Sequence, residues 1–297
     1  MSSEKPHTIH HSWTGTSLTT RKRLKSTENA RKKKKDLDKK GKIRVGRMIV
    51  KGNTRDVPFV EGYTTVVVHT ENFNKWSSLS PYVLKKEGQI LENIWHAHKV
   101  WKEVPAVKIP KSRWDPKKII WERGSETHVD ENGVPNETWK KWHNDLCNNE
   151  YAVRYPAGFK NKKNTLYSWK DDRKLSYIEA RKEIYAPLYI ELVQNEAKFK
   201  ELMKMVEDGK NILIVEVDGP HQESLDYYIE TYGVGNDFIV DHTIKVTKKN
   251  FSIMLYDEKH SFGHGYCLAM ALFGMTVIDL ENVRPPMGKK KFKIEKI

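Results

Sequence analysis

Cysteine is nearly absent from this sequence: Cys147 and Cys267 are the only two in 297 residues. So few, so far apart, argue against a disulfide framework and for a reducing, intracellular setting. Long apolar runs are missing too. No stretch approaches the roughly 18 residues that a membrane helix needs, and the N-terminus lacks the apolar segment of a secretory signal. There is no Cys-x-x-Cys pair, no P-loop, no dinucleotide-binding glycine fingerprint and no Gly-x-Ser-x-Gly elbow. His96 and His98 stand two apart, which on a helix points them about 200° from each other, a poor metal pair. Metal-centred and nucleotide-hydrolase mechanisms therefore have no anchor.

What is present is charge, unevenly placed. The chain carries a net +14. Residues 1–51 hold 16 Lys and Arg against four Asp and Glu, and residues 289–297 hold five against one, leaving 52–288 at −2. The body is close to neutral and the ends are basic. Residues 1–41 combine Ser, Thr, Lys and Arg with almost no large apolar side chains, and Arg31 to Lys35 are five consecutive cations. Such a segment buries too little apolar surface to offset its chain entropy, so disorder is expected. It serves either as a phosphate-binding arm for nucleic acid, without sequence choice, or as a solvated tail or localisation signal. The expected order is thus an arm (1–41), one domain (42–288) and a basic tail (289–297).

Within the body, Thr64 to His69 is β-branched and reads as a strand. Pro81 to Leu84, a turn at Lys86-Glu87-Gly88, and Gln89 to Leu91 read as a hairpin leading into a helix from Glu92 to about Glu103. An insertion follows between Pro105 and Pro135, then a helix over Glu137 to Asn148 with Asn136 as N-cap. From Tyr177 to Val206, Ile178, Ile184, Leu188, Leu192, Phe199, Leu202 and Val206 form one helical stripe, which Pro187 kinks or divides. Asp208-Gly209 stops it. Ile212 to Val217 is an apolar strand buried on both faces. Short strands are expected around 237–247, 252–256 and 276–278, with a helix opening at Gly263-His264-Gly265 and running to Phe273. Helices and strands mix without βαβ alternation, which predicts an α+β fold.

Three segments carry chemistry. Glu92, His96 and Lys99, at i, i+4 and i+7, share one helix face, which is either a catalytic wall or a solvated polar stripe, with Trp95 and Val100 toward the core. Glu216 interrupts an apolar strand, with Asp218 just beyond. A buried carboxylate must be paired or open into a cavity, so it is either a salt-bridge partner or a catalytic acid at a strand end. Gly263-His264-Gly265-Tyr266 is a glycine turn onto a helix N-terminus, where backbone N–H groups hold a phosphate oxygen or simply form a turn.

In order and spacing these segments resemble the NADAR superfamily, compact α+β N-glycosidase-like domains linked to NAD and ADP-ribose metabolism. Ser80-Pro81-Tyr82, Gly88 and Glu92-Asn93-Ile94-Trp95-His96-Ala97-His98-Lys99 are similar to the first family block, with His96 in place of Gln. Ser176 to Tyr185 keeps the spacing of the second, with Tyr177 for Trp and Arg181 for Lys. Asn195, Phe199, Leu202, Gly209 and Ile214-Val215-Glu216 resemble the third, and Gly263 to Ala269 the last. The likeness spans about residues 64–281 and leaves 105–135 and 220–260 unmatched.

The resemblance implies hydrolysis of an N-glycosidic bond between ribose and a base-like leaving group. The family's substrates include ADP-ribose on guanine in nucleic acid and ribosylated flavin-pathway intermediates. Such a bond breaks through an oxocarbenium-like state that a carboxylate stabilises. The resemblance gives that role to Glu92, with Glu216 or Asp218 as second acid. Lys99 and Arg181 would hold phosphates or carbonyl oxygens, and Tyr82, Trp95 or Tyr177 would stack on the base; His96 and the 263–265 turn complete the substrate contacts. No metal or cofactor is implied. The alternatives are a catalytically inactive nucleotide or nucleic-acid binder, and a nucleic-acid-coating protein of viral type.

Overall fold

The computed structural model describes residues 40–68, 75–112, 114–153 and 165–283. The chain divides into two units, 1–40 and 41–297. The expected basic arm lies almost wholly outside the described residues, as do His69 and the 289–297 tail. The described part opens with β1 (Ile43–Arg47), β2 (Ile49–Lys51), β3 (Thr54–Asp56) and β4 (Tyr63–Val67). The short hairpin follows as β5 (Lys85–Lys86) and β6 (Gln89–Ile90). Its two turn residues, Glu87 at φ 50° and Gly88 at φ 86°, have the positive φ that matches strand twist in a two-residue hairpin.

Helix α1 (Leu91–Ala97) is shorter than expected, because the chain turns into β7 (Lys99–Trp101). Lys99 pairs with Ser168 and Val100 with Tyr167, so a strand far along the chain captures the β-prone Val100-Trp101 and ends the helix. The segment after it forms β8 (Glu103–Val104), β9 (Val107–Ser112), β10 (Asp115–Arg123) and β11 (Glu126–Thr127), with β9 and β10 paired as a bulged antiparallel ribbon. Helix α2 (Glu137–Cys147) starts where expected, its first turn capped by Asn136, whose side-chain oxygen accepts from Trp139 N–H at 3.0 Å.

Next come β12 (Thr165–Lys170), β13 (Arg173–Leu175), α3 (Tyr177–Ala180), a π-helical turn over Arg181–Tyr185, and α4 (Ala186–Val193). The widened turn is the answer to Pro187. Proline offers no N–H and crowds the carbonyl four residues back. That carbonyl, of Glu183, accepts instead from Lys170 Nζ at 3.0 Å. Helix α5 (Ala197–Glu207) and β14 (Asn211–Glu216) follow, then α6 (Leu225–Tyr232), β15 (Thr243–Lys245), α7 (Lys248–Tyr256), α8 (His264–Phe273) and α9 (Val277–Glu281). Two expected strands are therefore helices. Residues 252–256 belong to α7, whose start is capped by Thr247 Oγ1 accepting from Asn250 N–H. Residues 277–278 open α9 behind a capping box of Thr276 and Asp279. A short apolar run does not distinguish strand from buried helix, and in both places the cap carried the signal.

The fold is α+β. One four-stranded sheet runs in the order β15-β1-β14-β4, with β1, β14 and β4 parallel and β15 antiparallel at the edge. Strand β14 is buried on both faces. Ile212 and Ile214 join the main core with residues of α4, α5 and α8, whereas Leu213 and Val215 pack against Met48 on the other side. A second core is rich in tryptophan: Trp101, Trp121, Trp139 and Trp142 surround Ile94, Ala97 and Leu146. No helix among the described residues is long and apolar enough to cross a membrane.

Candidate active site

Side chains alternate along a strand, so Glu216 points to the same face as Ile212 and Ile214. That face looks onto α8. The Glu216 carboxylate, with no exposed surface, meets the helix N-terminus head-on: Gly265 N–H donates to Oε1 at 2.9 Å. Oε2 lies 3.0 Å from His264 Nδ1, a close ionic contact rather than an aligned hydrogen bond. The other ring nitrogen, His264 Nε2, donates to the Val68 carbonyl at 2.9 Å. Burial alone would lower the pKa of His264, but the charge and contact of Glu216, with the Val68 carbonyl and Asp218, raise it above its ordinary value. The glycine turn that the sequence offers as a phosphate cradle is thus filled by the protein's own carboxylate. A helix N-terminus favours an anion, and Glu216 is that anion.

The α1 constellation has a different character. Glu92 is 6% exposed. Its Oε1 lies 3.1 Å from His96 Nε2, and Lys99 Nζ lies 3.3 Å from His96 Nδ1. An ammonium only donates, so His96 Nδ1 accepts and Nε2–H donates to the carboxylate. Lys99 reaches this position from β7 rather than from the helix, a correction to the expected single helical face; the chain reverses after Ala97, yet the three groups still meet.

Aromatic rings connect the two acids. Trp95 lies 5.1 Å from Tyr185 and 6.3 Å from Tyr177, centroid to centroid, and Lys99 Nζ sits 4.8 Å over the Trp95 ring. Tyr185 is followed by Tyr189 at 6.5 Å, and Tyr189 by the His264 ring at 6.2 Å. The Tyr185 hydroxyl is driven far above its ordinary pKa by burial first, then by the charges of Glu92, Cys267 and Glu216. Both carboxylates therefore act on one tyrosine. Tyr185 is the residue that sequence reasoning passed over, since its position in the apolar stripe of 177–206 reads as core.

Asp218 is half-buried beyond the strand end. Tyr82 is half-buried in the turn whose Pro81 carbonyl accepts from Glu92 N–H at 3.0 Å, so the turn rests on the start of α1. Tyr177 is 43% exposed, with the Arg181 guanidinium 4.3 Å from its ring. Arg181 itself is 1% exposed and donates to the carbonyls of Met254 and Asp257 at 3.3 and 2.7 Å. It clamps the end of α7, so the carbonyl oxygens that it holds are the protein's own. A surface groove of about 500 Å³ lies elsewhere, lined by Trp121, Asn144, Asp145 and Tyr151 among others. Its Asp145 is held by Arg123 and Lys141, each at 2.8 Å, so that acid is already paired.

Comparison of the chain with known protein families, with characterised proteins and with solved structures finds no match.

Proposed function

We propose that this chain hydrolyses an N-glycosidic bond between ribose and a base-like leaving group, with Glu92 as the carboxylate that faces the sugar. One observation carries the reading: the Glu92 carboxyl is buried, lies 3.1 Å from a histidine that an adjacent lysine contacts on its other ring nitrogen, and stands beside the indole of Trp95. A carboxylate kept out of water and fixed in position stabilises a developing oxocarbenium ion better than a solvated one, because no solvent must reorganise as charge forms. Trp95 and Tyr177 provide ring faces for a base, and Lys99 provides a cation for a phosphate or carbonyl oxygen. Glu216 is a positioning residue in this scheme, since its oxygens are engaged by Gly265 and His264. Asp218 is left as the second acid. The substrate class that fits the basic N-terminal segment is ADP-ribose on guanine in nucleic acid, or a ribosylated nucleotide.

The test is release of ADP-ribose from ADP-ribosylated guanine in DNA, with free NAD and a ribosylated nucleotide assayed in parallel. Glu92→Gln keeps the shape and the hydrogen bond but removes the charge. It is expected to lower turnover roughly 100- to 1000-fold with the melting temperature little changed. A wild-type protein that binds these substrates and releases nothing is a binder, the reading favoured by the engagement of Glu216.

A further inference from the structure

A second constellation lies outside the α1 site, in the segment 220–260, which matches none of the family blocks. Ser224 Oγ is 2.9 Å from His260 Nε2, and His260 Nδ1 is 2.6 Å from Asp257 Oδ2. Asp257 is fully buried, and it also accepts from Tyr228 OH at 2.6 Å, Tyr227 OH at 3.0 Å and Lys259 N–H at 2.9 Å. The Tyr228 hydroxyl oxygen lies 3.0 Å from His260 Nδ1 as well. We propose that Ser224, His260 and Asp257 form a nucleophile–base–orienter triad that hydrolyses carboxylic esters of short acyl groups.

Two features separate this arrangement from a polar cluster that merely ties a loop down. The first is direction. Burial pushes the Asp257 carboxyl up, but the bonds from His260 and Tyr228, the charge of His260 and the Lys259 N–H more than offset it, and it stays below its ordinary value. An ionised Asp257 fixes the proton of His260 on Nδ1, which leaves Nε2 as a bare acceptor facing the serine hydroxyl. The second is the gradient of exposure. Asp257 has none, the His260 side chain has 8%, and Ser224 at the outer end is half-buried. The nucleophile is the member nearest solvent. The His221 ring packs against that of His260, with centroids 4.4 Å apart and planes tilted by 36°.

The steps balance without any added cofactor. Ser224 Oγ attacks the ester carbonyl carbon as its proton passes to His260 Nε2, and a tetrahedral oxyanion forms. The bond to the alcohol oxygen then breaks, and His260 returns the proton to the departing alkoxide, leaving an acyl-serine. Water repeats the sequence: its proton goes to His260 as its oxygen bonds to the acyl carbon, the Ser224–acyl bond breaks, and His260 gives that proton to Ser224 Oγ. The products are the carboxylic acid, the alcohol and regenerated serine.

The experiment uses the full chain with p-nitrophenyl acetate as substrate and a fluorophosphonate as covalent probe. The expected result is a single phosphonylation, mapped by peptide mass to Ser224, and ester turnover that falls roughly 100-fold or more in Ser224→Ala. His260→Ala is expected to lose labelling and to regain part of it when free imidazole is added, a recovery that a structural role would not produce. The proposal is overturned if folded wild type takes no label, if the label sits on another residue, or if Ser224→Ala keeps the wild-type ester turnover. The ester assay contains no N-glycoside, so its outcome is independent of the Glu92 reading.

Discussion

Gly263 and Gly265 have no room for a β-carbon. One built on Gly263 would stand 2.5 Å from Glu216 Oε2, and one on Gly265 would stand 2.9 Å from Oε1. The carboxylate is buried and held from both sides, so it has nowhere to retreat. Gly263→Ala and Gly265→Ala are each expected to destabilise the protein by about 1–3 kcal/mol in urea unfolding. Gly124→Ala, which meets open space, is expected to change stability by under about 0.5 kcal/mol; equal effects at all three positions would remove Glu216 as the cause. His264 supplies a pH signature for the same contact. Its pKa is raised above the ordinary 6.5 in the folded protein, so the native state holds this proton more tightly than the unfolded chain. The stabilisation is complete below about 6.5 and fades as pH rises through the raised value. Unfolding free energy measured from pH 6 upward should show that decline, and His264→Gln should flatten it. At this scale the sequence was partly legible. The interruption of an apolar strand by Glu216 marked a residue needing a partner, but the partner is 49 positions away at Gly265.

At the scale of elements, the crossing of α1 and α2 holds an acid-sensitive contact. His143 on α2 packs its ring 5.2 Å from His98, at the end of α1, and 5.1 Å from Trp139. Burial, with a smaller contribution from His98, pushes His143 down to about 4. Here the unfolded chain takes up the proton first. Stability contributed by the neutral ring is present above about 6.5 and is lost as pH falls toward 4, by about 2 kcal/mol once the partial exposure of the ring is allowed for. Unfolding free energies measured between pH 7 and 4 should fall less in His143→Leu than in wild type; an identical fall would move the acid sensitivity elsewhere. Elements were read best where periodicity was long and worst where it was short. The buried strand 211–216 and the Phe199, Leu202 and Val206 face of α5 follow their apolar spacing, whereas Ile178, Leu188 and Leu192 of the same expected stripe are only half-buried and α4 buries Ala186, Tyr189 and Val193 instead. The helices α7 and α9 are short, and their apolar runs resemble strands until the caps at Thr247 and Thr276 are weighed. The first helix ends at Ala97 and not near Glu103 because Val100 and Trp101 go to a strand partner at 165–168, which no local rule reveals.

For the whole molecule the salient asymmetry is electrostatic. Residues 1–51 and 289–297 together carry more positive charge than the net of the whole chain, and the folded body between them is close to neutral at −2. On the proposed function, this distribution gives nucleic-acid binding to the N-terminal segment and small-substrate chemistry to the body. Deleting residues 1–41 is expected to weaken DNA binding and to reduce the slope of log K against log salt by about 0.9 for each phosphate that the segment no longer neutralises. Turnover of a small nucleotide substrate should survive the deletion. An unchanged salt slope would show that the body binds DNA by itself, and abolished small-substrate turnover would tie the arm to the site.

The sequence alone determined what depends on neighbours along the chain: the α+β class, the doubly buried strand, the amphipathic face of α5, the capped start of α2 and the segregation of charge. Tertiary structure decided which groups face one another. It seated Glu216 at the mouth of α8, returned Lys99 to His96 from a strand, placed Tyr185 under the influence of two acids, and joined Ser224 to His260 across 36 positions. The division has one physical cause. Periodicity and capping act over a few residues and leave their mark in composition and spacing. The partner of a buried charge is set by chain crossings tens to hundreds of residues apart, and those crossings leave no trace in the local order of side chains.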